Sequence, residues 1–125
     1  MKVLDPGHKF FVDVYDNQAA APNDQSELII FMKRTGPLYP GNVNAYPGTN
    51  CQELLRVLIS RLIYLDGQDS CVQNHINLLF ARQMLWNFED RAAKRHGIVE
   101  FNIPIEGIED RPTCMVCGHI VCGGH

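Results

Sequence analysis

The chain has 125 residues, 46% hydrophobic and 20% charged, with 11 basic residues against 14 acidic ones and a formal net charge of −3. That length is one domain's worth of chain with one core, so any large ligand site must be shallow or shared between subunits. The charge balance argues against a DNA-coating protein, which carries a basic excess, and no apolar run approaches the ~20 residues that span a bilayer. Met1–Val12 lacks the basic start, apolar middle and small-residue cleavage site of a secretory leader, so a soluble, intracellular chain is expected.

In chain order, the first part reads as β. Lys9-Phe-Phe-Val-Asp-Val-Tyr15 puts Phe10, Val12 and Val14 on one face and Phe11, Asp13 and Tyr15 on the other. Asp16–Gln25 is rich in Asn, Asp, Ala and Pro and reads as a long hairpin connection. Glu27–Lys33 is a second strand, apolar on both faces, which predicts cover on both sides. Thr35–Gly48 carries three Pro and three Gly and reads as a loop, with Tyr39 and Tyr46 in it.

Thr49 to Gln52 fits a capping box and opens a helix. Leu54, Leu55, Leu58, Ile59, Leu62 and Leu65 form its apolar stripe, and Asp66-Gly67 ends it. Asp69 or Ser70 caps the next helix, about Val72 to His96, with a core stripe that includes Ile76, Leu79, Phe80 and Trp86. Gly97 is its C-terminal stop, after Lys94, Arg95 and His96 at the negative end of the dipole. Ile98–Ile103 alternates and reads as a third strand. The expected fold class is therefore α+β. A small antiparallel sheet packs with a two-helix antiparallel hairpin over residues 1–103, followed by a Cys/His tail over 104–125. Two helices with one apolar stripe each need a third surface, supplied by the sheet or by another copy of the hairpin.

There are five cysteines, three of them in the last 12 residues, which does not fit a secreted disulfide framework. Cys114-x2-Cys117-Gly118 has zinc-knuckle spacing. Cys122 and His125 complete a four-ligand set, with His119 as a rival ligand. A haem attachment would need His directly after Cys117, where Gly118 stands. Four protein ligands leave no open position on zinc, so such a site is structural. A disordered thiol tail is the plainer alternative.

Catalytic sets are poor. Cys51 sits at a helix N-terminus without a placeable partner, and His8 and His75 are in the same position. Glu89-Asp90 reads as a solvated helix face, and no nucleophile-elbow, zincin or phosphate-loop motif occurs. Arg91 and Arg95 lie one turn apart on one helix face, shaped to clamp phosphates, or else simply a solvated helix end. Lys33-Arg34-Thr-Gly36 leads from a strand into the Gly/Pro loop, where Arg34 and backbone N–H groups could meet a second phosphate. Tyr64 and Asn74 sit at the hairpin tip, suited to stack a base and read its edge, or equally to pack and cap. Asn74 and Arg91 are 17 residues apart on one helix, roughly 25 Å. A pocket that uses both must form between two chains.

Tyr46-Pro-Gly-Thr-Asn-Cys-Gln-Glu53, leading into a helical hairpin that ends in Arg91-Ala-Ala-Lys-Arg95 behind preceding strands, resembles the first-described type of phage Thoeris anti-defence protein. The resemblance runs from about Lys9 to Gly97. It implies a nucleotide sponge, not an enzyme, that sequesters the cyclic ADP-ribose signal of bacterial TIR-domain enzymes in the host cytoplasm. It also implies a homo-oligomer whose neighbouring helices frame the ligand, and in some members a separate site for CBASS cyclic oligonucleotides. By type and order, Tyr64, Asn74, Arg91 and Arg95 match the family's ligand residues, with Tyr64 where the family has Phe, and Arg34 as a further phosphate contact. The Cys/His tail is outside the family pattern. The rival expectations are a zinc-stabilised protein-binding adaptor and a small cyclic-nucleotide phosphodiesterase.

Overall fold

The computed structural model describes residues 1–16, 26–36 and 42–122. The connection expected over Asp16–Gln25 lies outside them from residue 17 on, as do Tyr39 in the Gly/Pro loop and His125. The fold is α+β, in two compact units, Met1–Asn50 and Cys51–His125.

The first unit holds a three-stranded antiparallel sheet, ordered β1 (Lys2–Asp5), β2 (Lys9–Asp13) and β3 (Ser26–Ile30). Strand β1 was not among the expected elements. It pairs Val3 with Phe10 and Asp5 with Lys9 across a tight turn. His8 N–H closes that turn on Asp5 O at 2.9 Å, and Gly7 has φ +77°. Pro at the first central position and a positive-φ Gly at the second are the demands of a type II turn, and Pro6-Gly7 was the available signal. Phe10 pairs with Ile29 and Phe11 with Leu28 in the β2–β3 ladder.

The strand expected over Glu27–Lys33 leaves the sheet at Ile30 and changes partner. Phe31 bridges Thr49 and Lys33 bridges Tyr46. Four backbone bonds stitch this docking: Thr49 N–H to Ile30 O at 2.8 Å, Met32 N–H to Thr49 O at 3.0 Å, and a reciprocal Lys33–Tyr46 pair at 3.0 and 3.2 Å. Leu28 is half exposed, so the two-sided cover expected for this strand is absent at that position. The side chains lock the same junction. Tyr46 Oη donates to Asp5 Oδ2 at 2.5 Å and Lys33 Nζ to the same oxygen at 2.9 Å. These two bonds hold the Asp5 carboxyl below its usual range, while burial and the bond to Asp5 push the Tyr46 phenol up to about 12. The Tyr46-Pro-Gly-Thr segment is thus a structural clasp on the strand.

The second unit is built on α1 (Cys51–Gln68) and α2 (Val72–Arg95). Helix α1 starts after the clasp. Thr49 spends its N–H on Ile30, and the Gln52 amide meets His119 at 2.7 Å, so the expected capping box does not form. Gln52, Leu55 and Ile59 are buried and Leu62 packs beside them. On α2 the inward residues are Leu78, Ala81, Leu85, Glu89, Ala92 and Ala93. Of the core stripe expected there, only Trp86 packs on the core; Ile76, Leu79 and Phe80 are exposed. The helix carries large apolar residues on more than one face, and spacing alone does not say which face turns inward.

Cys71 stands at the N-cap without a side-chain cap bond, and Ser70 Oγ meets His75 Nε2 at 3.1 Å instead of capping. The other end is as expected. Gly97, φ +78°, donates to Lys94 O, and Ile98 N–H reaches Ala93 O at 2.9 Å, a Schellman motif. Ile98–Ile103 is not a strand. It runs irregularly along α2, where Trp86 Nε1 donates to Ile103 O at 2.7 Å and the Trp86 and Phe101 rings lie 5.1 Å apart. A 3-10 turn, Ile108–Asp110, follows. Ile108 is fully buried, and Arg82 binds the Glu109 carboxylate through Nε and Nη2.

A Cβ on Gly48 would stand 2.5 Å from Ile30 O and 2.6 Å from Met32 N, both backbone atoms. Gly48→Ala is expected to destabilise the protein by about 1–3 kcal/mol in urea unfolding. Gly67→Ala, in α1 with open space around it, should not lower stability. Equal effects at the two sites would contradict the clasp.

Candidate functional site

The tail builds a thiol cluster from backbone geometry. Cys114 N–H donates to His119 O at 2.9 Å and Gly118 N–H to Cys114 O at 2.8 Å, folding 114–119 into a tight loop. Gly118 has φ +76°, which a side chain there would resist. The loop aims N–H groups at sulfur: Val116 N–H lies 3.4 Å from Cys114 Sγ. Such bonds from the Cys117 and Val116 N–H groups hold the Cys114 thiol down at about 6, while burial pushes the Cys117 thiol up. The sulfurs of Cys114, Cys117 and Cys122 lie within 4.8 Å of one another. Three convergent sulfurs, one already favoured as thiolate, fit a soft or borderline metal ion. His119, the rival fourth ligand, is not in this cluster, and its Nδ1 faces Gln52.

The segment between the second and third cysteines is anchored on the hairpin by a residue that spacing had assigned to solvent. Glu89 is 0% exposed. Its Oε2 accepts Ile120 N–H at 3.0 Å and its Oε1 stands 3.5 Å from Arg56 Nη2 on α1. Burial pushes the Glu89 carboxyl up, opposed by the Ile120 N–H and the Arg56 charge. One carboxylate therefore ties α1, α2 and the cysteine loop together. No periodicity rule finds it, because a Glu beside an Asp on a polar-looking helix end reads as surface.

The basic pair lies on the opposite side of α2. Arg91 and Arg95 are exposed. Arg91 stacks its guanidinium 5.2 Å from the Phe88 ring, and among the described residues neither arginine has a carboxylate partner; Asp90 is taken by Lys94 at 2.8 Å. Met84, Asn87, Phe88 and Arg91 line a shallow concavity of about 240 Å³. Asn87 and Phe88 were not expected there, although their spacing to Arg91 puts them on its face.

Within the second unit, Tyr64 and Asn74 stand at the hairpin tip, apart from this concavity. Tyr64 is exposed at the far end of α1 with the Arg61 guanidinium 5.3 Å from its ring. Asn74 Nδ2 donates to Asp69 O at 3.0 Å and so secures the turn between the helices. Arg34 leaves the clasp in the first unit, beside Lys33, whose charge is already met by Asp5. The Asp66, His75 and Ser70 side chains meet at the tip, but both partners contact the same ring nitrogen, Nε2. A relay needs the carboxylate on one ring nitrogen and the hydroxyl on the other, so the group is no nucleophile triad.

Among the described residues no helix is long and apolar enough to cross a membrane. Comparison with protein-family models, curated proteins and solved structures returns no match for the chain.

Glu89→Ala should leave the Arg56 guanidinium buried and unpaired, costing about 3–5 kcal/mol in urea unfolding; a loss below about 1 kcal/mol would show that the carboxylate anchors nothing. In metal-free protein, iodoacetamide should modify Cys114 ahead of the other thiols, at a rate that rises with pH through a midpoint of about 6 as the thiolate forms. A midpoint in the ordinary thiol range would contradict the loop geometry.

Proposed function

We propose that the protein is a phage anti-defence sponge. In this reading it binds a cyclic ADP-ribose-type signal made by bacterial TIR-domain enzymes, holds it without cleaving it in the host cytoplasm, and uses a zinc ion in its tail only as structural support. The observation that carries the reading is the pair of exposed guanidiniums without carboxylate partners among the described residues: Arg91, which lines a concavity with an aromatic wall, and Arg95, one turn further along the helix. Guanidiniums form charge-assisted bonds to a pyrophosphate, Phe88 offers a ring to a base, and Asn87 a carboxamide to its edge. A volume of about 240 Å³ falls below the roughly 300–1,000 Å³ typical of enclosing ligand pockets. The missing wall comes from a second copy of the hairpin, whose tip brings Tyr64 and Asn74. Asn74 spends one N–H on Asp69 O and keeps its Oδ1 and second N–H for the ligand. Sequestration asks for slow release, not for a nucleophile and base.

Zinc is held by Cys114, Cys117 and Cys122, with His125 as the fourth ligand. The ion closes the tail loop over Glu89 and takes no part in binding the nucleotide.

The test mixes protein with enzymatically made cyclic ADP-ribose signal, follows its loss from solution, then heat-denatures the complex. Intact signal on release is expected. Arg91→Ala with Arg95→Ala should weaken uptake by at least about 100-fold, with helical circular dichroism unchanged. Fragmented signal would establish a phosphodiesterase, and no uptake by the wild-type protein would leave the adaptor.

A further inference from the structure

Cys114, Cys117 and Cys122 are free thiols whose sulfurs lie within 4.8 Å of one another. Cys114 opens the turn that Gly118 N–H closes on Cys114 O at 2.8 Å, and Cys117 stands three residues on. Residues so placed in a turn keep their Cα atoms within about 7 Å, and a disulfide spans Cα atoms about 4.4–6.8 Å apart. Gly118, φ +76°, holds the turn in this shape. Met115 and Val116, between the two cysteines, are 95% and 73% exposed, so the turn stands in solvent and a small oxidant reaches it. The same loop is seated on the helices just beyond: Ile120 donates to Glu89 at 3.0 Å and packs on the core. A covalent link across the turn therefore removes freedom from the segment that the seat must order.

We infer that Cys114 and Cys117 are an oxidation site, at which a hydroperoxide forms a disulfide that staples the tail loop on its Glu89 seat. With hydrogen peroxide the Cys114 sulfur attacks one oxygen and the O–O bond breaks. Cys114 keeps a hydroxyl as sulfenic acid, and its thiol proton leaves with the other oxygen as water. The Cys117 sulfur then attacks the Cys114 sulfur. The S–S bond forms, the S–O bond breaks, and the hydroxyl leaves with the Cys117 proton as a second water. Two sulfurs give up one electron each, and one peroxide takes both. The zinc ion of the proposed reading draws on the same sulfurs, so metal and disulfide exclude each other. The disulfide does not rest on that reading.

The two thiols outside the cluster cannot replace this pair between themselves. Cys51 opens α1 and Cys71 precedes α2, and the 18 residues of α1 lie between them, roughly 27 Å of helix.

The test uses the full metal-free chain with Cys51→Ser and Cys71→Ser, leaving only the cluster thiols. Hydrogen peroxide in small excess at neutral pH should remove two of the three thiols and leave the protein lighter by two hydrogens, reversibly with dithiothreitol. Adding Cys122→Ser should leave the disulfide in place. Adding Cys117→Ser should abolish it, with helical circular dichroism unchanged in both. Amide hydrogen exchange at Ile120, followed by NMR, should be roughly tenfold slower in the oxidised protein than in the reduced metal-free one. No disulfide, a disulfide that survives Cys117→Ser or is lost with Cys122→Ser, or an Ile120 exchange rate unchanged by oxidation would each overturn the site. Zinc added before the peroxide should block the disulfide. A chain that forms the disulfide but takes up no zinc would keep the oxidation site and remove the metal reading.

Discussion

The second unit depends on one buried carboxylate. Glu89 faces inward from α2, with Arg56 of α1 on one oxygen and the Ile120 backbone on the other. Taking an ionised group out of water is costly, and here the cost is offset by one hydrogen bond, from the Ile120 N–H, and by the Arg56 charge 3.5 Å from the other oxygen. The two come from both neighbours of α2, so the carboxylate is compensated only when helix, helix and tail are all in place. That requirement fixes the inner face of α2 and gives the cysteine loop a seat. Arg56 pays its part of the same constraint, being nearly buried itself.

Fixing the inner face also fixes the outer one. Ala81, Leu85, Ala92 and Ala93 point inward beside Glu89, and the bulkier Ile76, Phe80 and Met84 are left on the outside. The same rotation carries Arg91 and Arg95 outward, away from Glu89 and the tail. A helix with small residues on its core face and large ones on its free face leaves apolar surface exposed. The tail with its cysteine cluster seats on the inner face of α2 through Glu89, and the basic pair stands on the outer face.

Much of this could be read directly from the amino acids. The β-to-helix order, both helix spans within a few residues, the Gly97 stop and the cysteine cluster follow from local rules about periodicity, caps and ligand spacing. What could not be read is what depends on contacts far apart in the chain. Strand β1 is short, and its signal was a Pro6-Gly7 turn beside only four residues. Ile98–Ile103 alternates like a strand, but its apolar residues Phe101 and Ile103 pack on the helical core instead. The inner stripe of α2 was misjudged because alanines carry little hydrophobic weight. Glu89 was misjudged because its partner, Arg56, comes from the other helix and its second donor from residue 120. At the basic site, the Arg91–Arg95 spacing was plain, while the concavity beside it needed the orientation of Phe88 and Asn87.

The central claim is that Arg91 and Arg95 hold the phosphates of a captured nucleotide on the outer face of α2. The most direct measurement is a crystal structure of the protein grown with the cyclic ADP-ribose signal. The account predicts intact ligand between two hairpins, its phosphate oxygens within hydrogen-bond distance of both guanidiniums. Ligand density elsewhere on the chain, with both arginines facing bulk solvent, would contradict it.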